Sequence, residues 1–181
     1  MCYQLGELFR YSSGGNTAVK LSEELGYMKT YLQFMKYRYE DNFSFEIDSQ
    51  GDGDSIEISR MSLQPLVENC FTHAFKSIAP PYQMKVVCIV SENGWKFEVS
   101  DNGVGFSQEQ IDIISEEIFK IDRILQQKRG YENLKSKDMA ILNIYIRLKL
   151  RYAEKMYFEI VRDEELQGAR VRIVVDYNRG R

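Results

Sequence analysis

A chain of 181 residues with 44% hydrophobic and 28% charged residues has the composition of a globular protein and can fill one core. Its formal net charge of −3 gives no global electrostatic argument for nucleic acid, so no nucleic-acid partner is expected. Three cysteines without paired spacing argue against a disulfide framework or zinc site, and no run of about 18 apolar residues, enough to cross a membrane, is present.

The N-terminal part of the chain is predicted to be helical. Residues 2–11 have the pattern of a helix end, which the small residues at 12–16 break. Ser22, followed by two glutamates, is the predicted N-cap of a second helix. This helix has an apolar stripe of heptad-like spacing, which consists of Leu21, Leu25, Met28, Leu32, Met35 and Tyr39. The stripe fits equally well a helix packed on its own domain and a helical stalk or dimer contact.

The pattern changes near residue 41 to strands and further helices. Strands are predicted at 43–48, 55–59, 83–91, 95–100, 156–162 and 169–177. Helices are predicted at 62–77, 107–127 and 139–153. An Asn93-Gly94 pair predicts a two-residue hairpin turn. This order predicts an α+β fold with the helices on one side of a mixed or antiparallel sheet.

The helix predicted at 62–77 has polar residues that could carry chemistry. Asn69 and His73 share a face at i, i+4 spacing, and Glu68 lies beside them. An amide oxygen and an imidazole next to a carboxylate could hold a hydrated Mg²⁺ ion and phosphate oxygens. By the helix pattern alone, a solvated polar face is the better interpretation.

A second polar stretch follows the strand predicted at 95–100 and reads Asp101-Asn102-Gly103-Val104-Gly105. Glycines between a strand and a helix let the backbone approach a ligand closely, and free N–H groups before a helix favour phosphate. Asp101 is an acceptor that could bind an exocyclic amine such as that of adenine. A plain glycine turn is the alternative, and only the spacing to the first stretch makes the pair informative.

Together the two stretches resemble the N box and first glycine box of the GHKL ATP-binding superfamily. A more specific motif is similar to that of the LytS-type (YesM-like) sensor histidine kinases. It reads Leu63-Gln64-Pro65-Leu66-Val67-Glu68-Asn69, and His73 follows four residues later. Further segments resemble the same family, at 7–12, 21–25, 31–32, 37–39 and 143–152. The resemblance therefore covers nearly the whole chain.

The resemblance implies a two-layer α/β sandwich of the Bergerat type, with an N-terminal helical segment and a site for ATP and Mg²⁺. Residues 1–40 would be the C-terminal remnant of a helical dimerisation and phosphoacceptor region, and residues 41–181 the ATP-binding catalytic domain. Asn69 would coordinate Mg²⁺, and Glu68 would be the catalytic residue that polarises a water or the incoming imidazole. His73 would line the phosphate end, and Asp101 would bind the adenine amine.

The glycine boxes would shape the lid of this site. Gly103 and Gly105 would let a mobile lid, roughly 107–137, fold over the triphosphate, whose charge the basic residues there would screen. Between residues 120 and 155 the sequence has ten Lys or Arg against four Asp or Glu. Without a ligand, this basic block also fits a pair of solvated helices.

The second glycine box departs from the family pattern, which usually reads G-I-G-L or H-I-G-L. The aligned residues are 138–141, so Ala140 stands where the family has glycine and Asp138 adds negative charge near phosphate. Ala140 and Asn143 are the implied cofactor-binding positions of this box. Thr72 and Ala74 also replace a common lysine and glycine in the N box, and each of these changes would weaken nucleotide binding.

The implied function is the catalytic domain of a two-component sensor histidine kinase, which transfers the γ-phosphoryl group of ATP to a histidine outside this sequence. The single histidine, His73, belongs to the N box, so autophosphorylation of this chain alone is not expected. Expected partners are the protein's own phosphoacceptor helical domain, a response regulator and a second copy in a homodimer. The expected location is the cytoplasmic portion of a bacterial membrane-bound sensor.

Two other functions remain open. One is a degenerate GHKL domain that serves as a non-catalytic dimerisation or signalling module, which the altered second glycine box favours. The other is a GHKL ATPase. Gyrase-type ATPases place a carboxylate one helical turn before the asparagine, and this chain has Pro65 there.

Overall fold

The computed structural model describes residues 18–127 and 140–179. The strands of the described residues are β1 (Ala18–Lys20), β2 (Phe43–Gln50), β3 (Glu57–Ser59), β4 (Tyr82–Ser91), β5 (Gly94–Asp101), β6 (Met156–Arg162) and β7 (Ala169–Asp176). The helices are α1 (Leu21–Tyr39), α2 (Gln64–Asn69, continued by a wider π-helical turn over Cys70–Ala74), α3 (Gln108–Gln126) and α4 (Ala140–Tyr152). The helix end predicted at 2–11 and the lid residues 128–137 lie outside the described residues, as does Asp138.

A five-stranded sheet is the centre of the fold, with the strand order β2-β4-β5-β7-β6. Strand β2 pairs with β4 in parallel, and the other neighbours pair antiparallel. The sheet is therefore mixed, which is one of the two arrangements predicted from the sequence. Its strands agree with the predicted ones to within a few residues, because their alternation of apolar and polar residues marks a half-buried sheet.

The register of the strands gives the sheet one apolar and one charged face. Phe97 on β5 pairs with Cys88 on β4 and with Ile173 on β7, and all three side chains belong to the buried core. One residue further along, Glu98 pairs with Arg172, whose Nε lies 2.7 Å from Glu98 Oε2. Since neighbouring residues point to opposite faces, the charged row lies away from the core.

The helices cover the apolar face. Tyr145 of α4 contacts Phe158 of β6 edge-on, with ring centroids 5.5 Å apart. At the other end of the sheet, Phe71 of α2 contacts Phe43 of β2 at 4.9 Å. This arrangement confirms the predicted two-layer α/β sandwich with the helices on one side. Among the described helices, none is both long and apolar enough to cross a membrane.

The apolar stripe of α1 packs on its own domain. Leu21, Met28 and Leu32 are 0% exposed and belong to the same core cluster as the sheet residues. The first of the two interpretations of the stripe therefore describes these residues. The division at residues 40 and 41 stays a prediction about the longer protein, because the helix shares its core with the sheet in the described part of the chain.

The start of α1 differs from the prediction. Ser22 was expected as the N-cap, but the helix begins at Leu21 and Lys20 occupies the N-cap position without a side-chain hydrogen bond. The Ser22 hydroxyl donates to the Asp54 carboxylate instead. Ser22 thus bonds to a residue 32 positions away in the sequence and does not make the local N-cap hydrogen bond on which the prediction was based.

Two details of the strands also differ. Strand β1 was not predicted, and it pairs antiparallel with β3 in a separate two-stranded sheet. The two residues of the β4–β5 turn are Glu92 and Asn93, since Gly94 already pairs with Ser91 as the first residue of β5. Gly94 has φ +142°, a backbone conformation that favours glycine. A Cβ at this position would also clash with the backbone of Val175.

Burial of the α1 stripe predicts a large loss of stability when one of its residues is truncated. We expect Leu32→Ala to lower the free energy of unfolding by about 2–5 kcal/mol, because it removes a fully buried side chain. Tyr37→Ala, on the same helix but 70% exposed, is the control and should change it by less than about 1 kcal/mol. Urea unfolding followed by circular dichroism measures both, and equal effects would contradict the packing of α1.

Candidate functional site

A cavity of about 490 Å³ lies between the helices and the end of β5. Its size is within the usual range for small-molecule sites, roughly 300–1,000 Å³. It is lined by Leu66, Asn69, Cys70, His73, Ala74, Lys76, Ser77, Val99, Asp101, Val104, Gly105, Phe106, Gln110, Ile113, Ile114, Ala140, Ile141, Ala169 and Val171. The cavity therefore joins the two stretches that the sequence singled out.

The lining is apolar in its buried part and polar at its rim. The buried side chains include Leu66, Val99, Ile114, Ile141 and Val171, contributed by α2, α3, α4 and two strands. The exposed polar side chains are His73, Lys76, Ser77 and Gln110. Such a cavity can take a ligand with an apolar, planar part and a polar or anionic part.

Asp101 is the buried carboxylate of this cavity, with 3% of its surface exposed. Its Oδ1 accepts hydrogen bonds from the backbone N–H of Gly103 at 2.7 Å and of Ala169 at 3.3 Å. Its Oδ2 accepts only a weaker bond from the Cys70 thiol among the hydrogen bonds of the described residues, with Sγ 3.4 Å away. One oxygen is therefore held by the backbone, and the other keeps acceptor capacity.

Burial controls the protonation of this pair. Burial raises the pKa of Asp101, although the hydrogen bonds from Gly103, Ala169 and Cys70 act in the opposite direction. Burial and the neighbouring Asp101 carboxylate raise the pKa of the Cys70 thiol well above its ordinary value. The thiol therefore stays a neutral S–H donor, and it is not an activated nucleophile.

Helix α2 brings Asn69 and His73 to the cavity. Both residues line it, and Asn69 ends the α-helical part, after which the helix widens into the π-helical turn. In this turn the N–H of Phe75 donates to the carbonyl of Cys70 at 2.9 Å. Turns of this kind are frequent at functional sites, because they change which side chains face a ligand.

Three of the predicted site residues do not line the cavity. Glu68 is half-buried on α2, and its Oε1 accepts a hydrogen bond from Gln64 Nε2 at 2.8 Å. Gly103 lies against the end of α2, where a Cβ would be 2.5 Å from the Cβ of Ala74. Asn143 is half-buried on α4. The structure thus gives a packing reason for glycine at position 103.

The two other backbone positions of the prediction do line the cavity. Gly105 has φ +69°, a left-handed conformation that favours glycine, and lies beside the backbone of Gly168. Ala140 is exposed at the start of α4. Its Cβ therefore belongs to the wall where the family pattern has a glycine.

Gly168 is a residue of this site that was not predicted from the sequence. It lies in the turn before β7, and a Cβ there would be 2.6 Å from Asp101 Oδ1 and closer still to the Asp101 carbonyl oxygen. The Gln-Gly pair at 167–168 marked a turn in the sequence. Its partner could not be read from the sequence, because Asp101 is 67 positions away.

Asp163 holds the same turn in place. Its Oδ1 accepts hydrogen bonds from the N–H groups of Glu165 and Leu166, and its Oδ2 lies 2.6 Å from Arg170 Nη2. Burial alone would raise the pKa of Asp163, but the hydrogen bonds from Leu166, Ser100 and Arg170 outweigh it and the pKa is lowered. The charged carboxylate therefore stabilises the turn that carries Gly168.

The chemistry of the cavity does not suit a metal held by protein groups alone. Within residues 18–127 and 140–179, no group of three or more His, Cys, Asp or Glu could hold a metal ion. The amide of Asn69 is a weak single ligand. It fits a cation that a bound phosphate brings and coordinates at the same time.

The close approach of Gly168 to Asp101 predicts that a methyl group is not tolerated there. We expect Gly168→Ala to lower the free energy of unfolding by about 2 kcal/mol or more, because the backbone must move away from Asp101. Gly26→Ala in the exposed part of α1 is the control, since nothing lies within 4 Å of a Cβ there, and it should be neutral or stabilise by about 0.5–1 kcal/mol. Thermal unfolding of both variants decides, and a neutral Gly168→Ala would contradict the packing.

Comparisons of the sequence with known proteins identify related chains. A family model described as histidine kinase matches residues 1–43. A sensor-like histidine kinase of Staphylococcus epidermidis, called uncharacterized, is 28% identical over 148 residues, which cover 81% of this chain and 28% of that protein. The sensor protein kinase HptS of Staphylococcus aureus is 26% identical over the same coverage. The chain thus spans 28% of the length of these curated relatives.

Solved structures have the same fold at low sequence identity. The catalytic domain of the histidine kinase ThkA, in a nucleotide-free form, is 15% identical with a TM-score of 0.52, over 90% of this chain and 96% of that one. The ATP-binding domain of PrrB from Mycobacterium tuberculosis is 12% identical with a TM-score of 0.53, over 89% and 96%. The chain is therefore similar in sequence to sensor histidine kinases and has the fold of histidine kinase ATP-binding catalytic domains.

Proposed function

We propose that this chain binds Mg²⁺-bound ATP in the cavity at Asp101 and serves as the catalytic domain of a sensor histidine kinase. The longer protein would transfer the γ-phosphoryl group to a histidine of its own phosphoacceptor helical domain. One observation carries the proposal: a buried carboxylate with a free acceptor site shares one cavity with Asn69 and His73. The similarity to sensor kinases supports it.

The buried part of the cavity suits the adenine base. Asp101 Oδ2 can accept a hydrogen bond from the exocyclic amine, since only the Cys70 thiol contacts it among the described hydrogen bonds. Leu66, Ile114 and Val171 provide apolar surface for the two faces of the ring. In such a buried site, an acceptor whose only described partner is a weak thiol donor favours a ligand that donates a stronger hydrogen bond to it.

The rim of the cavity suits the phosphates. Asn69 would hold Mg²⁺ together with phosphate oxygens, while His73, Lys76 and Ser77 can donate hydrogen bonds to the same oxygens. Bound Mg²⁺ offsets the negative charge that spreads over the transferred group. The chain's own contribution is then to position the triphosphate, which accounts for most of the catalysis in phosphoryl transfer.

Glu68 keeps its proposed role as the group that meets the incoming imidazole. It lies beside Asn69 on α2 but outside the lining of the cavity, and Gln64 holds its carboxylate by a hydrogen bond. A carboxylate at that place can orient the N–H of an approaching imidazole. Gly105 and Ala140 are proposed to bind the triphosphate through their backbone, and Asn143 stays a predicted cofactor-binding residue that lies outside the lining of the cavity.

The remaining partners belong to the longer protein. A response regulator would receive the phosphoryl group, a second copy would complete a homodimer, and the described domain would form the cytoplasmic portion of a membrane-bound sensor. The names of the relatives support the sensor role. The sequence motif at residues 63–69 supports the assignment to the LytS-type subgroup.

The role of Asp101 predicts that an isosteric amide weakens nucleotide binding and spares the fold. Asp101→Asn can keep its oxygen on the N–H groups of Gly103 and Ala169, but it places an NH₂ group where the adenine amine must donate. We expect the affinity for Mg·ATP, measured by calorimetry, to fall by about tenfold or more. Because the pKa of Asp101 is raised, the charged form costs stability at neutral pH, and thermal stability should be kept or rise.

Asp48→Asn is the control, since Asp48 is exposed on β2 and has no part in the cavity. Unchanged affinity in Asp101→Asn would refute the adenine site. No binding by the unmodified protein at millimolar ATP would instead support the degenerate signalling module, in which the Cβ of Ala140 prevents nucleotide binding. Phosphate release without an acceptor domain would support an ATPase.

The role of Asn69 predicts a loss confined to the magnesium and phosphate end. We expect Asn69→Ala to lower the affinity for Mg·ATP by about tenfold, while adenosine binding changes by less than about twofold. Calorimetric titration with both ligands measures the two effects. Asn42→Ala, an exposed residue after α1, serves as the control. Equal loss for both ligands would show that Asn69 supports the cavity as a whole and does not hold the metal.

A further inference from the structure

A buried carboxylate of α1 holds the segment that leads into α2. Glu24 is 0% exposed. Its Oε1 accepts hydrogen bonds from the backbone N–H of Leu63 at 3.0 Å and of Gln64 at 3.3 Å, and its Oε2 accepts one from Met61 at 3.1 Å. Burial of a charged group is costly unless it is hydrogen-bonded in this way. Glu24 and this segment therefore depend on each other.

Helix α2 has no cap of its own that could replace Glu24. Leu63 occupies its N-cap position and makes no side-chain hydrogen bond, and Pro65 lies in the first turn. The carboxylate of Glu24 thus satisfies N–H groups that the helix leaves unpaired, and its charge interacts favourably with the positive end of the helix. The N-terminus of α2 is consequently fixed by a residue of α1, about 40 positions earlier in the chain.

The same segment is held in an unfavourable backbone conformation. Met61 has φ +58°, which is uncommon and costly for a residue with a side chain. Its N–H is bound by Glu24, and its carbonyl accepts a hydrogen bond from Arg147 of α4 at 3.2 Å. Residues 61–64 are therefore held between α1 and α4, which fixes the N-terminus of α2 relative to both helices.

This position matters for the cavity, because α2 carries Asn69 and His73 to it. Asn69 follows Gln64 by five residues, which is about 7.5 Å along a helix axis. Hydrogen bonds between successive turns connect Gln64 to Asn69, so we expect a shift of the N-terminus of α2 to displace Asn69 as well. Helix α1, within the residues 1–43 that match the histidine kinase family model, thus acts on the site through Glu24.

We propose that Glu24 is a positioning residue for the Mg·ATP site, which fixes α2 to α1 so that Asn69 meets the metal and phosphates. The proposal rests on the proposed function. It makes the placement of α1 a determinant of the phosphate end of the site, whereas the adenine end depends on Asp101 of β5. A movement of α1 would then change how Mg·ATP binds with little effect on the base.

The test compares Mg·ATP with adenosine, which reaches only the Asp101 end. Glu24→Gln keeps the size of the side chain but replaces an accepting oxygen by an NH₂ group, so α2 loses part of its anchor. We expect the affinity for Mg·ATP to fall by about tenfold and the affinity for adenosine to change by less than about twofold, the pattern expected for Asn69→Ala. Glu23→Gln is the matched control, since this neighbour is exposed and loses the same charge.

The outcomes separate the two proposals. If the unmodified protein binds Mg·ATP and Glu24→Gln leaves its affinity unchanged, or lowers both affinities equally, the positioning role of Glu24 is wrong while the proposed function stands. If the unmodified protein binds neither ligand, the proposed function is wrong and the role of Glu24 falls with it.

A measurement on the unmodified protein covers the case in which Glu24→Gln does not fold. Coupling between sites is reciprocal, so Mg·ATP must strengthen the anchor if the anchor strengthens Mg·ATP binding. We expect Mg·ATP to slow hydrogen exchange of the backbone N–H groups of Met61, Leu63 and Gln64 more than adenosine does. Equal exchange rates with the two ligands would overturn the proposal.

Discussion

The hydrogen bonds between the Asp101 carboxylate and the backbone connect the parts of the structure that form the cavity. One oxygen is held by the N–H groups of Gly103 and Ala169, which come from the two turns at the same end of the sheet. The second turn reaches Asp101 only because residue 168 has no side chain, and the first turn packs against Ala74 of α2 only because residue 103 has none. The carboxylate is thus buried and oriented mainly through its first oxygen, while the second accepts only the Cys70 thiol among the described hydrogen bonds and keeps acceptor capacity.

The sheet and the helices have complementary parts in this arrangement. The register of the strands gives the sheet an apolar face, which the helices cover, and an opposite face on which Glu98, Arg172 and Glu159 form ion pairs. The base of the cavity therefore rests on the sheet, through Asp101 and Val99. Most of the polar rim comes from α2 and the residues that follow it, and the start of α2 is held by α1 and α4.

The sequence predicted most of the secondary structure, because the periods of apolar residues were clear in the strands and in α1, α3 and α4. The start of α3 near residue 107 was predicted correctly, since the partners of its capping box, Ser107 and Gln110, are local and lie three residues apart. The N-cap at Ser22 was wrong, since Asp54 competes for its hydroxyl. Strand β1 was missed because three residues have too little pattern, and only pairing with β3 creates the strand.

By itself the sequence determined the fold class and the two stretches with the relevant side chains. Helical spacing put Asn69 and His73 on one face, and the glycines after Asp101 marked a turn. The tertiary structure alone decided that these stretches share a cavity, that Glu68, Gly103 and Asn143 lie outside its lining, and that Gly168 belongs beside Asp101. The physical reason is range: periodicity and capping depend on neighbours within a few residues, whereas the cavity depends on contacts between residues tens of positions apart.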